Sequence, residues 1–188
     1  MSLDLECALC PLSAWRTRVV PPSGDLSSPV VLVGEAPGES EDRLGAPFVG
    51  RAGKWLDKCM QEAGLDRRSV MITNTVKCRP PGNRRPDAQE LAACRRYLMD
   101  ELRGRELIVA LGSTAIEALL GSEVKVSEVA NRTVKVDIEG IGTMDVLLTF
   151  HPSACIYNKE ARSRLIDAMR MVRDHLNVRT SASSGKET

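Results

Sequence analysis

Short apolar runs alternate with amphipathic stretches along most of the chain. Val30-Val31-Leu32-Val33 is continuously apolar and ends at Gly34, the pattern of a buried parallel strand entering a loop. A loop rich in Gly, Pro and Glu follows to about Arg51, then an amphipathic helix near Ala52–Ala63 that Gly64 stops. Val70-Met71-Ile72-Thr73 predicts a second strand, ending at Asn74 and leading into the loop Arg79-Pro80-Pro81-Gly82-Asn83-Arg84-Arg85-Pro86. Asp87, with Glu90 three residues later, starts a helix that runs to about Leu102. Leu107–Leu111 is a third buried strand, closed by Gly112, and a short helix covers about Thr114–Leu120. Val134, Val136 and Ile138 alternate with polar residues, and Val146-Leu147-Leu148-Thr149 is again apolar. These two runs predict a pair of strands, the second central and ending at Phe150-His151. A last helix is expected over Lys159–Asn177.

Strands alternating with helices predict a three-layer α/β domain around a mostly parallel sheet. Ligands bind such sheets beyond the carboxyl ends of the strands. Gly34–Gly38, Asn74 and His151 all stand there. The 188 residues suit a single domain over 1–178, with residues 179–188 as a disordered low-complexity tail. The net charge of +1 does not by itself announce a nucleic-acid binder. No run approaches a membrane span, and the start at Met1–Glu6 lacks the form of an export signal, so a cytoplasmic protein is expected.

In a reducing compartment the cysteines point to metal or cluster ligation rather than disulfides. Cys7-x-x-Cys10 makes one pair, and Cys78 and Cys94, with fifteen residues between them, make a second, open one. Four thiolates suit tetrahedral zinc or a [4Fe–4S] cluster, and the open second pair favours the cluster. Cys59, inside a helix, and Cys155 are expected to be buried apolar cysteines.

Gly34-Glu35-Ala36-Pro37-Gly38 alone could be a turn that merely needs glycine. Its company makes it specific: Pro47-Phe48-Val49-Gly50-Arg51-Ala52-Gly53, then Thr73-Asn74-Thr75-Val76-Lys77-Cys78-Arg79-Pro80-Pro81-Gly82-Asn83, then His151-Pro152-Ser153-Ala154. In this order, with these cysteines, the chain closely resembles the family-4 uracil-DNA glycosylases from residue 7 to about 176. The resemblance implies a four-stranded parallel sheet between helices, with a [4Fe–4S] cluster on Cys7, Cys10, Cys78 and Cys94. It implies that Gly34, Glu35, Ala36 and Gly38 hold the catalytic water and part of a uracil pocket. It further implies that Phe48 stacks on the base, Asn74 reads its edge and His151 approaches O2.

The chemistry agrees with these roles. A side-chain amide offers an acceptor and donors that match uracil N3–H and O4, and cytosine presents the reverse pattern. On its own Asn74 would read as a turn or cap residue, Phe48 as core and His151 as a satisfied strand-end histidine. The second histidine, His175, reads as an exposed or packing residue. Family-1 relatives place a carboxylate where this chain has Ala36. That shifts the expected mechanism from base-activated water to stabilisation of the departing uracil, with His151 and backbone near Ala36 as catalytic groups and Glu35 in a minor orienting role. Lys77, Arg79, Arg84, Arg85, Arg162 and Arg164 are expected at the DNA backbone, and Ile156 or Tyr157 as the wedge behind a flipped base.

The expected partner is uracil-containing DNA, single- or double-stranded, met by a monomer; no sliding-clamp contact is assigned. The readings in competition are a glycosylase of the same superfamily with another base preference, a catalytically silent iron–sulfur DNA-binding module, and a nucleotide-binding α/β protein with a zinc site. The chain lacks Gly-x-x-x-x-Gly-Lys and Gly-x-Gly-x-x-Gly, which weakens the last.

Overall fold

The computed structural model describes residues 3–184. Six strands form one sheet in the order β1-β3-β2-β4-β6-β5. They are β1 Ser23–Gly24, β2 Val30–Gly34, β3 Met71–Asn74, β4 Leu107–Leu111, β5 Arg132–Ile138 and β6 Gly142–Thr149. The four inner strands, β3, β2, β4 and β6, run parallel, as the expected four-stranded sheet requires. Two antiparallel edge strands extend that sheet: β1 pairs with Met71 and Ile72 only, and β5 with the length of β6.

Each inner strand is buried on both faces, and its residues alternate between two cores. Val30, Leu32, Ile72, Val109 and Leu147 face α2 (Arg51–Ala63) and α6 (Lys159–Ser184). Val31, Val33, Met71, Ile108, Ala110, Val146 and Leu148 face α3 (Ala88–Leu102) and α4 (Ser113–Leu120). The three-layer sandwich follows from this alternation. A third, smaller core joins the N-terminal segment through Leu12 and Val19 to Val76, Cys78, Cys94 and Tyr97.

Two short helices lie where loops are expected, α1 (Glu39–Leu44) and α5 (Val126–Val129). The helix α6 runs through Ser184, beyond its expected end at Asn177, and 185–188 of the expected tail lie outside the described residues. Among the described residues no helix is long and apolar enough to cross a membrane.

Candidate active site

Beyond the carboxyl ends of the parallel strands lies a cleft of about 420 Å³. Ala36, Gly38, Glu41, Phe48, Asn74 and His151 are among its lining residues. The sheet itself brings three of the sequence motifs together. Gly34 and Asn74 stand opposite each other where β2 and β3 end, and His151 follows β6.

Asn74 is 4% exposed. Among the described residues its side-chain amide has no hydrogen-bond partner, although its main chain is firmly held. The amide opens on the cleft, so its acceptor and donors are available to a ligand. Gly34 lets this amide and the Phe48 ring approach the β2 backbone. A Cβ on Gly34 would lie 2.4 Å from Phe48 Cζ and 2.5 Å from Asn74 Oδ1.

Phe48 has a left-handed backbone, with φ +53°, which is uncommon for a bulky residue. Two contacts impose it. Glu41, itself buried, accepts hydrogen bonds from Val49 N at 2.9 Å, Gly50 N at 2.6 Å and Gly38 N at 3.1 Å. One carboxylate thus clamps the Gly34–Gly38 loop to the Phe48 loop. From the other side Gly53, on the first turn of α2, packs so close that a Cβ there would lie 1.9 Å from the Phe48 carbonyl oxygen. The Phe48 ring stands 5.7 Å, centre to centre, from the His151 ring at a tilt of 38°.

His151 Nδ1 lies 3.2 Å from the main-chain N–H of Ser153 and 2.8 Å from its hydroxyl. An N–H can only donate, so Nδ1 accepts and the neutral ring carries its proton on Nε2. Burial lowers the imidazole pKa to about 4, against a smaller upward pull from Glu41. The ring is therefore neutral at pH 7.

Glu35 is turned away from the cleft. Its carboxylate accepts the Thr114 hydroxyl, and its carbonyl accepts Thr75 Oγ1 at 2.5 Å and Val76 N at 3.3 Å. Ala36, by contrast, lines the cleft.

The expected DNA-facing cations fare unequally. Lys77 is corrected outright: it is 1% exposed, and its ammonium is bonded inside the protein, so it does not face DNA. Arg84 grips the buried Glu90 carboxylate through two hydrogen bonds, 2.8 and 2.6 Å. Arg85 pairs with Glu117, Arg162 with Glu62, and Arg164 lies 3.9 Å from Glu160. Arg79 hydrogen-bonds Asn83, which lines the cleft. Arg51, not singled out in the sequence, stands on the rim with its guanidinium over the ring of Tyr157, itself 84% exposed. Ile156 lines the cleft.

Cys7, Cys10, Cys78 and Cys94 all line one small void between the N-terminal segment, the loop after β3 and α3. Lys77 N donates to Cys94 Sγ at 3.3 Å and Arg16 Nη1 to Cys78 Sγ at 3.5 Å. Burial pushes the Cys10 and Cys78 thiols up and Cys94 to about 11. Among the described residues no group of three or more Cys, His, Asp or Glu is placed to hold a metal ion. Four thiols lining one void, with donors to two of them, have the ligand number and type of a [4Fe–4S] cluster or of a tetrahedral ion. Cys59 and Cys155 are buried in the main core, as expected.

Glu41 and the true place of Lys77 escaped the sequence reading. Glu41 sits in the acidic run Glu39-Ser40-Glu41-Asp42, which reads as solvated surface. Its only signal is its spacing from Gly38, that of a helix N-cap and its third residue.

The family described as "Uracil DNA glycosylase superfamily" matches residues 21–172. A type-4 uracil-DNA glycosylase of Thermotoga maritima is 42% identical over 86% of this chain and 83% of its own. That of Pyrobaculum aerophilum is 40% identical over 80% of each chain. That of Saccharolobus solfataricus is 36% identical over 92% of this chain and 82% of its own.

Proposed function

The chain belongs to the uracil DNA glycosylase superfamily, and from that premise we propose that it excises uracil from DNA with the groups gathered in its cleft. It is a glycosylase: water hydrolyses the N-glycosidic bond of a flipped-out deoxyuridine and leaves an abasic site. The observation that carries the reading is the Asn74 side chain, which lines a cleft it shares with Phe48 and His151 and whose amide has no partner among the described residues.

The uracil ring lies on Phe48, and a stacked base gains about 1–3 kcal/mol. Asn74 pairs with N3–H and O4. Cytosine in the same place would leave these groups unsatisfied, which can reject it by orders of magnitude. As the bond breaks, negative charge grows on O2. The Nε2–H of the neutral His151 meets that charge, with a hydrogen bond that strengthens in the transition state. The oxocarbenium-like sugar demands little of its nucleophile, so backbone near Ala36 suffices to hold the water. Glu35, tied to Thr114, orients the loop from outside the cleft.

DNA phosphates are assigned to Arg51, which lines the cleft, and to Arg79, which hydrogen-bonds the cleft residue Asn83 and lies 3.8 Å from Glu39. Arg84, Arg85 and Arg162 serve first as partners of carboxylates. Ile156, which lines the cleft, and the exposed Tyr157 are assigned as the wedge that fills the gap left by the base.

We assign Cys7, Cys10, Cys78 and Cys94 to a [4Fe–4S] cluster. When bound, it would supply a four-point tie between the N-terminal segment, the loop after β3 and α3.

The test is incubation with uracil-containing, hypoxanthine-containing and normal oligonucleotides, followed by alkali. Cleavage at uracil alone is expected. Cleavage at hypoxanthine but not uracil indicates another base preference, and none at all a silent DNA-binding module.

A further inference from the structure

Lys77 is 1% exposed, and a lysine is a costly residue to bury. Three acceptors match the three donors of its ammonium: Thr73 Oγ1 at 2.7 Å, the main-chain carbonyl of Asn74 at 2.6 Å and Glu101 Oε2 at 2.6 Å. The Thr73 hydroxyl donates to the same Glu101 oxygen at 2.8 Å. Stability alone is a poor reason for such an arrangement, because apolar residues of similar volume often serve as well in place of a buried ion pair.

The sheet supplies a better reason. Asn74 is the last residue of β3. Towards β2, the chain is held by Thr75 N on Gly34 O at 2.9 Å. On the opposite edge β1 reaches only Met71 and Ile72, so no strand is left to hold Asn74. The Lys77 ammonium bonds its carbonyl instead, reaching back three residues along the chain. Glu101, on α3, anchors the ammonium in turn.

We propose that Lys77 is a positioning residue for base recognition: it fixes the main chain of Asn74 and so aims the free amide at the uracil edge. This rests on the uracil-reading role given to Asn74 above. A misplacement of about 1 Å can cost a reaction roughly 100-fold, which is the effect at stake.

The test uses the full chain with its cluster, as Lys77→Met and as Lys77→Met/Glu101→Leu. The single variant strands a buried carboxylate and can unfold for that reason alone; the double variant removes both charges. Four readouts are needed: single-turnover excision at uracil, inhibition by free uracil, absorbance near 400 nm and thermal melting. In whichever variant melts like the parent, excision is expected to fall about 100-fold. Free uracil should inhibit about tenfold less well, the effect of one weakened hydrogen bond. The absorbance should be unchanged, because the N–H donated to Cys94 belongs to the main chain.

Parental excision and parental uracil inhibition in a folded variant would overturn the proposal. So would a fall in rate with uracil inhibition unchanged, or the failure of both variants to fold, which would make the pair structural. Absence of excision by the parent protein is a separate result, and it refutes the uracil-excising reading itself.

Discussion

The protonation of His151 can be read from its neighbours. Ser153 N–H occupies Nδ1, which leaves Nε2–H to face the cleft. Burial holds the folded pKa near 4, below the ordinary 6.5. Between those values the unfolded chain binds more protons, so the contribution of this group to stability is complete above 6.5 and is lost as pH falls towards 4. Activity should follow the folded value alone. Single-turnover excision is expected to be insensitive to this group from pH 8 to about 5 and to change only near 4. A midpoint near 6.5 that vanished in His151→Asn would show that the imidazole titrates normally and that the neutral-donor account is wrong. Gly34 gives a second prediction at this scale. In Gly34→Ala the added carbon meets both Phe48 and Asn74, so excision should drop by about 100-fold or more while the fold survives. Parental kinetics in that variant would mean that the two side chains do not meet the base together. Singly, Asn74, Phe48 and His151 read as turn, core and strand-end residues; only the order of their motifs along the chain set them apart, and all three line one cleft. Lys77 was misread because it lies among loop residues, and only the short reach of β1 shows why an ammonium belongs inside.

At the level of elements, the strands were legible because burial on both faces leaves an unbroken apolar signature, as in Val30–Val33 and Leu107–Leu111. The Asp87–Glu90 start of α3 was legible too, and both reciprocal hydrogen bonds of its capping box form at 2.9 Å. The helix α1 was not. Glu39–Leu44 has no apolar stripe, and its conformation depends on its ends and on the buried Glu41 and Asp42. Asp42 accepts from Thr17 N and Arg18 N, so α1 also holds the N-terminal segment in place. Glu41 holds the two loops of the cleft. Glu41→Ala would strand three main-chain donors, and each unpaired buried donor costs about 1–3 kcal/mol, less where water can enter. Each kcal/mol lowers the melting temperature of a domain this size by about 2–4 °C. Excision should suffer more than stability, because the clamp on Val49 and Gly50 is one of the two contacts on the Phe48 loop. A melting shift without loss of uracil inhibition would limit Glu41 to a structural role.

The molecule as a whole is built from cores of unequal independence. The two sheet faces enclose large apolar clusters that need nothing from the first twenty residues. The third core is small, and beyond Leu12 and Val19 the N-terminal segment contributes to it chiefly through Leu3, Cys7 and Cys10. Leu5, Leu9 and Trp15 remain more than half exposed, so hydrophobic burial alone holds this segment weakly. A cluster on the four cysteines would supply the missing attachment, and that makes its loss local. Chelation under oxidising conditions, or Cys78→Ser, should abolish absorbance near 400 nm and open the Leu5–Arg18 segment to protease. The sheet should stay folded, with its amides still protected from hydrogen exchange. Excision should decline because the cysteine site adjoins Asn74, to which base reading is assigned: Cys78 follows Lys77, and Lys77 bonds both Cys94 and Asn74. Early proteolysis confined to that segment, alongside weakened uracil inhibition, is the expected pair of results. Global unfolding on cluster loss would instead make the cysteine site a requirement of the whole fold, and an unchanged uracil affinity would uncouple it from the cleft.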